Sequence, residues 1–304
     1  MTARLSRLLL WALCVSSVVD ARAATSVLDD EGSAVTLAAP PQRIVSLAPH
    51  ATEMLHALGA GGRIVAVSAA SDWPREARAL PVVGDARALD LERIVALAPD
   101  LIVTWPYTAP AQVARLRAGG VPVFVLDAKT IADLPSQMAR LGRLVGEEAR
   151  GRALAVTTAA RIDALRARYR AAPRVDVFYQ IWNAPLFTVG GKHLISQAIT
   201  LCGGVNAFAG ETLPAPQVGI EAVLAARPQV IVAGAEGGKR PAWLDDWRRW
   251  TSLPAVAHGQ LHVVDADLLH RAGPRFVDGV EALCVAIDGA REPSLPARTA
   301  GVRR

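Results

Sequence analysis

The chain has 304 residues, of which 52% are hydrophobic and 20% are charged. This length and composition allow one large buried core or two smaller ones, and they exclude a disordered chain. The formal net charge is +5, and the basic residues are scattered rather than gathered into a run. We therefore expect no nucleic-acid partner.

Residues 1–23 follow the pattern of a secretory signal peptide. A start with two arginines precedes the apolar residues 8–19, which are too few to span a bilayer comfortably, and small residues end at Ala23. Leu13 fits poorly as the residue before a lipidated Cys14. We expect cleavage near Ala23 and a soluble protein in the periplasm, with an uncleaved anchor as the alternative.

Hydrophobic periodicity and turn residues predict alternating strands and helices in the first half of the chain. Residues 25–41 are predicted as an extended lead-in or a hairpin. The predicted strands are residues 43–47, 64–68, 101–105 and 122–126, and the predicted helices are residues 52–58, 91–98 and 111–118. Residues 134–145 lead towards the connecting helix.

One long helix is predicted for residues 147–172, because apolar residues recur there at three- and four-residue steps and Pro173 ends the pattern. Gly151 weakens the first turns, which favours a later start. Residues 291–304 lack apolar periodicity and are expected to form a flexible tail. In the second half the predicted strands are residues 175–180, 230–233 and 261–264, and the predicted helices are residues 193–201, 221–226, 243–250 and 275–290.

Two stretches on either side of the long helix share a short amphipathic helix, a proline that ends it and an apolar run. The matching residues are 129 positions apart, namely Glu92 and Glu221, Pro99 and Pro228, and Ile102 and Ile231. The shared offset predicts two copies of one architecture. We therefore predict an α/β fold in which two Rossmann-like lobes with parallel sheets, residues 24–146 and 173–290, are joined by a single long helix.

The sequence offers no convincing enzyme constellation. Residues 190–193, Gly-Gly-Lys-His, have neither the spacing nor the hydroxyl residue of a phosphate loop, and G-x-S-x-G and H-E-x-x-H motifs are missing. The six histidines are scattered along the chain. We therefore expect a protein that is not an enzyme and that holds neither a catalytic cofactor nor a metal site.

Ligands of doubly wound sheets bind beyond the carboxyl ends of the strands. The loops at those ends carry the candidate binding residues Pro49, His50, Trp73, Trp105, Tyr107, Trp182, Phe187 and Asp267. Several lie at comparable points of the two halves, which predicts an aromatic cleft between the lobes. Such a cleft suits a large, flat and mostly neutral ligand. The alternative is that these rings pack in the core or between the lobes.

Cys202 and Cys284 are the cysteines that remain after signal-peptide removal. In an oxidising compartment they can pair, and the alternative is two buried free thiols.

A family resemblance is carried by motifs spread over residues 43–290. In chain order they are RIVSLAPHATE, SDWP, LDLERIVALAPDLIVTW, FYQIWNAPLFTVG, LCGG, PAPQV and DLLHRAGPR. Together they resemble the periplasmic vitamin B12-binding proteins of cobalamin ABC importers. The resemblance implies a substrate-binding protein with a helical backbone, with cobalamin as the transported ligand between its lobes and an inner-membrane permease as its partner. The expected state is a monomer.

The resemblance also implies roles for individual residues. Trp73, Trp105 and Phe187 are expected against the corrin ring or its nucleotide loop, with Asp267 as a polar contact. Cys202 is expected to pair with Cys284. Glu92 and Glu221 are expected to dock on arginines of the permease, and each is a carboxylate near a helix start at equivalent positions of the repeat. Their alternative role is to stabilise the two helix dipoles.

The chain departs from the family pattern at Ala86 and at the ligand-site position Ala215, where relatives carry aromatic residues. Fewer rings predict a weaker or wider site unless Trp182 and Tyr107 compensate. The alternative function is a haem or iron-siderophore binder on the same scaffold. A haem site would require an axial ligand such as His50 or Tyr107.

Overall fold

The computed structural model describes residues 24–291. Within them the strands are β1 (Thr25–Leu28), β2 (Ala34–Leu37), β3 (Ile44–Ser46), β4 (Ile64–Val67), β5 (Leu101–Thr104), β6 (Val123–Val125), β7 (Val175–Asn183), β8 (Leu186–Thr188), β9 (Gly204–Asn206), β10 (Val230–Ala235) and β11 (Leu261–Asp265). The α-helices are α1 (Pro49–Ala57), α2 (Leu91–Ala96), α3 (Pro110–Ala118), α4 (Asp133–Leu144), α5 (Glu148–Tyr169), α6 (Leu194–Leu201), α7 (Ile220–Ala226), α8 (Pro254–Ala257), α9 (Ala266–Leu269) and α10 (Phe276–Gly289). In this part of the chain, no helix is long and apolar enough to cross a membrane. The expected signal peptide and residues 292–304 of the expected tail lie outside the described residues.

Two parallel sheets with the same strand order form the centres of the two lobes. The N-terminal sheet has the order β4-β3-β5-β6, and each neighbouring pair is parallel. In the C-terminal sheet β9, β7, β10 and β11 follow one another in parallel, and β8 pairs antiparallel with the last residues of β7. The predicted fold of two Rossmann-like lobes is confirmed. The hairpin expected in the lead-in is β1–β2.

The repeat extends to the backbone conformation. The helices α2 and α7 begin 129 positions apart, and so do the strands β5 and β10. Among the described residues, Ala98 and Arg227 are the non-glycine residues with positive φ, at 44° and 49°. They lie at matching positions of the repeat, directly before the proline that ends each helix. The same left-handed turn from helix to strand is therefore built twice.

The long helix α5 packs closely on α4 of the N-terminal lobe. A Cβ atom on Gly151 would lie 2.9 Å from Gly142 Cα and 2.8 Å from the carbonyl oxygen of Met138. Gly151 therefore permits the close approach of the two helices, and α5 begins before it at Glu148. The expectation of a later start was wrong, because the packing of α5 on α4 outweighs the low helix propensity of glycine.

The same helix contacts the C-terminal lobe through polar groups. The guanidinium of Arg161 lies 2.6 Å from Asp278 and 2.9 Å from Glu281, both on α10. Near the end of α5, the Tyr169 hydroxyl is 3.4 Å from Asp288 of α10. The connecting helix is thus fixed to both lobes rather than free between them.

Some local details differ from the sequence-based expectations. The helix expected at residues 243–250 is a 3₁₀-helix, Ala242–Arg249. The strands β8 and β9 and the helices α8 and α9 were not predicted; each has only three or four residues, too few to show a period. A disulfide joins Cys202 to Cys284. Arg291, where the expected tail begins, donates to the carbonyl oxygens of Pro173 and Cys202.

Candidate functional site

A cavity of about 480 Å³ lies between the two lobes. Its wall is formed by the segments that follow β3, β5 and β6 of the N-terminal lobe and β8 and β11 of the C-terminal lobe. The N-terminal lobe contributes His50, Trp105 and Tyr107, and the C-terminal lobe contributes His193 and His270. The cavity thus lies beyond the carboxyl ends of parallel strands, where open α/β sheets bind ligands.

Three rings form an aromatic wall in the N-terminal lobe. Trp105 meets Tyr107 edge-on with 5.0 Å between ring centroids, and it meets His50 in the same way at 5.3 Å. Tyr107 is 64% exposed, whereas His50 is buried. The indole Nε1 of Trp105 is buried and has no hydrogen-bond partner within the described residues. A buried donor without a partner is costly, so this wall carries an unsatisfied polar group.

Three other expected site residues do not line this cavity. Pro49 opens α1 directly before His50. Trp73 is 46% exposed, and the guanidinium of Arg275 lies 4.4 Å from its ring centroid. Asp267 follows β11 and faces Arg271 at 2.9 Å.

Trp182, Phe187 and Ala215 form a separate group around the β7–β8 hairpin. Trp182 pairs with Phe187 across the hairpin, and Phe187 bridges to Gln217 in the segment that holds the exposed Ala215. The indole Nε1–H of Trp182 donates to the carbonyl oxygen of Ala184 at 3.1 Å. The structure therefore divides the expected set into the aromatic wall, the hairpin group and three residues outside both, Pro49, Trp73 and Asp267.

Five charged residues form an inter-lobe ion cluster beside the cavity. Glu53 and Asp72 come from the N-terminal lobe, and Asp267, Arg271 and Arg275 come from the C-terminal lobe. Arg275 binds Glu53 with two hydrogen bonds, of 2.9 and 2.5 Å. Arg271 lies 3.2 Å from Glu53, 2.7 Å from Asp72 and 2.9 Å from Asp267. The Glu53 side chain is only 2% exposed, so the carboxylate shared by the two arginines is shielded from water, whereas Asp72 and Asp267 are partly exposed.

Four of these residues, Glu53, Asp72, Arg271 and Arg275, were not predicted from the sequence. Glu53 lies in RIVSLAPHATE and both arginines lie in DLLHRAGPR, so the motifs contained the signal. Their partners are about 200 positions away in the chain, with a separation of 199 for Asp72 and Arg271. No local pattern links residues so far apart.

Three imidazoles, those of His50, His193 and His270, line the cavity. The last two were not predicted from the sequence. Burial lowers the pKa of His50 to about 4, and the positive charge of Arg271 acts in the same direction. Burial also lowers the pKa of His193. The pKa of His270 is lowered by desolvation and then by His193. All three rings are therefore uncharged at neutral pH.

Glu92 and Glu221 occupy the first turns of α2 and α7, as the repeat predicted. Both are exposed. Within the described residues, neither carboxylate forms an ion pair. In the same residues, no group of three or more His, Cys, Asp or Glu side chains could hold a metal ion.

Two lobes of equal topology, a connecting helix fixed to both and a cavity between the strand ends define a two-lobe substrate-binding protein. Residues 44–268 match the periplasmic binding protein family, and the chain belongs to that family. The vitamin B12-binding protein of Vibrio parahaemolyticus is 35% identical over 257 residues, which cover 83% of this chain and 92% of that protein. The vitamin B12-binding protein of Vibrio cholerae is 36% identical over 255 residues, which cover 83% and 91%.

Two solved structures of periplasmic binding proteins share this fold. The periplasmic vitamin B12 binding protein BtuF of Vibrio cholerae superposes with a TM-score of 0.77 at 36% identity, covering 84% of this chain and 99% of that one. The periplasmic heme-binding protein RhuT of Roseiflexus sp. RS-1 superposes with a TM-score of 0.72 at 26% identity, covering 82% and 99%.

Glu53→Gln is expected to destabilise the protein by about 3 kcal/mol. It leaves the guanidiniums of Arg271 and Arg275, at the contact between the lobes, without their buried carboxylate. The free energy of unfolding from urea titration measures this loss. Glu148→Gln is the matched control, since Glu148 forms only an exposed pair with Arg152 on α5 and should change stability by less than about 1 kcal/mol. Equal stability of the two variants would show that Glu53 does not hold the lobes together.

The low pKa of His50 predicts lower stability in acid. Above pH 6.5, the pKa of the unfolded state, the ring is neutral in both states. Below it the ring is protonated in the unfolded chain but stays neutral in the folded chain down to about pH 4. At pH 5 this difference lowers the free energy of unfolding by about 2 kcal/mol, at 1.36 kcal/mol per pH unit. His50→Gln should therefore lose less stability than wild type between pH 7.5 and 5, measured by urea unfolding. A control at the exposed His258 should behave as wild type, and an unchanged slope in His50→Gln would refute the assignment.

Proposed function

We propose that this chain captures cobalamin or a related corrinoid between its lobes and delivers it to the permease of an ABC importer. The observation that carries the proposal is the ring-walled cavity beyond the strand ends of both lobes. It is supported by relatives named vitamin B12-binding proteins at 32–36% identity over at least 80% of the chain. The ligand is cargo, so the protein performs no catalysis.

The same proposal assigns the remaining parts of the chain. Ligand contacts come from the aromatic wall with Pro49, from Trp73 and Asp267 at the seam, and from the hairpin group of Trp182, Phe187 and Ala215. The protein works as a monomer in the periplasm after cleavage near Ala23. Residues 24–146 and 173–290 act as the two lobes, residues 147–172 as the connection and residues 291–304 as a tail.

Haem is the second candidate ligand, because His50 and Tyr107 both line the cavity and either could serve as an axial ligand to iron. An iron-siderophore is less well supported. The two arginines at the seam, Arg271 and Arg275, are already neutralised by Glu53, Asp72 and Asp267. They therefore do not offer free positive charge to an anionic chelate.

Calorimetric titration with cyanocobalamin should show one binding site with a Kd of roughly 1 µM or tighter. Trp105→Ala should weaken binding at least about 10-fold, because it removes the central ring of the aromatic wall. Trp250→Ala is the matched control, since that indole packs against a hydrophobic cluster of the C-terminal lobe and does not line the cavity. Wild type that binds haemin with a shifted Soret band, but not cyanocobalamin, would favour the second candidate.

Charge reversal at Glu92 and Glu221 should leave the affinity for cyanocobalamin nearly unchanged and abolish association with the permease. Both carboxylates are exposed and unengaged within the described residues, so their removal leaves the fold intact. Association is measured by pull-down with the reconstituted transporter, and Asp163→Arg on the exposed face of α5 serves as the control for added positive charge. A loss of ligand affinity in the double variant would place the two acids in the ligand site instead.

A further inference from the structure

His193 caps the start of α6 and also lines the inter-lobe cavity. Its ring nitrogen Nδ1 accepts a hydrogen bond from the backbone N–H of Ile195 at 3.1 Å. A backbone N–H can only donate, so Nδ1 must carry its lone pair. In a neutral imidazole the proton is then on Nε2.

The Nε2–H group of His193 is left free by this arrangement. Within residues 24–291 the ring forms a hydrogen bond at Nδ1 and none at Nε2. The ring lines the cavity, and because Nδ1 is occupied by the helix cap, Nε2–H is its free hydrogen-bonding group. Burial lowers the pKa of His193, so the ring stays neutral. The cavity wall therefore presents an uncharged donor whose tautomer is fixed by the helix cap.

A neutral N–H donor in a half-buried site is matched by a neutral acceptor, such as the carbonyl oxygen of an amide. A corrin ring carries amide side chains around its rim, whereas a haem carries carboxylates. The charged groups on the same wall are Lys129, Lys192 and Asp127, and Lys129 already pairs with Asp127. The other imidazole on this lobe's wall, His270, is bonded at Nε2 to the buried Tyr179 hydroxyl at 3.1 Å.

We propose that His193 determines ligand specificity by donating its Nε2–H to an amide oxygen on the rim of a corrinoid while its Nδ1 caps α6. This assignment rests on the corrinoid function proposed above. The helix cap gives the contact its direction, because the ring cannot rotate without losing the bond to Ile195. A side chain that serves the fold through one nitrogen thus serves binding through the other.

Three substitutions separate the two tasks of the ring. His193→Asn places an oxygen where Nδ1 caps the helix but has no N–H at the position of Nε2; His193→Gln places an amide N–H near the position of Nε2 but loses the cap; His193→Ala removes both. We expect the Asn variant to keep the urea midpoint of wild type and the Gln and Ala variants to lower it. Affinity for cyanocobalamin should fall roughly 3- to 10-fold in the Asn variant, the loss of one neutral hydrogen bond, and recover at least partly in the Gln variant.

The outcomes distinguish this proposal from the function on which it rests. Wild type that does not bind cyanocobalamin refutes the function itself. Wild-type affinity in the Asn variant refutes only the role of His193, and a Gln variant no better than Asn shows that the ring merely packs against the ligand. Binding should also be constant between pH 8 and pH 7. A rise in affinity on acidification would mean that His50, His193 or His270 becomes charged and attracts an anion, instead of donating from a neutral ring. The other charged groups on this wall are Lys129, Lys192 and Asp127.

Discussion

The relative position of the two lobes depends on one buried carboxylate. Glu53 belongs to the N-terminal lobe, is 2% exposed and receives hydrogen bonds from two guanidiniums of the C-terminal lobe. A buried ion pair adds little net stability compared with an apolar contact, but separation of its partners is expensive. Because the bonds from Arg275 to both oxygens of Glu53 are directional, they are satisfied in one placement of the lobes. The connecting helix packs closely on one lobe and forms ion pairs with the other. It is also the covalent link between the lobes, so it restricts their relative position further.

The ion cluster also shapes the edge of the cleft. The guanidinium of Arg275 lies over the ring of Trp73, a cation–π arrangement that favours a flat, fixed placement of both groups. The same guanidinium is held by Glu53 from the opposite lobe, so the orientation of this exposed ring depends on the contact between lobes. Any movement that separates Glu53 from Arg275 therefore also releases Trp73. The spacing of the lobes and the placement of the Trp73 ring are therefore coupled.

Much of the fold followed from local pattern, and the rest was not local. The offset between Glu92 and Glu221 correctly predicted that one helix–strand unit occurs twice, and it holds down to the left-handed residues Ala98 and Arg227. The start of α5 was misjudged, because the need for glycine at Gly151 is set by a helix that packs on it. The ion cluster was missed for a related reason: its bonds join residues that no periodicity relates. Conversely, the exposed indole of Trp182 is tied to its own hairpin by Ala184, a contact that an aromatic pattern does not reveal.

The histidines change how a site of this kind can recognise its ligand. The family resemblance implies rings at the positions of Ala86 and Ala215, and without them we expect less binding free energy from stacking. Of the two rings expected to compensate, Tyr107 lines the cavity and Trp182 does not. The polar part of the wall includes three imidazoles that burial keeps neutral, and a neutral imidazole is both a flat surface and a hydrogen-bond donor. Stacking tolerates any flat ligand, whereas a donor held in one direction by a helix cap selects for an acceptor at one point of the ligand's rim. In the role proposed for His193, one donor of fixed direction would thus add selectivity to a stacking surface that is tolerant by itself.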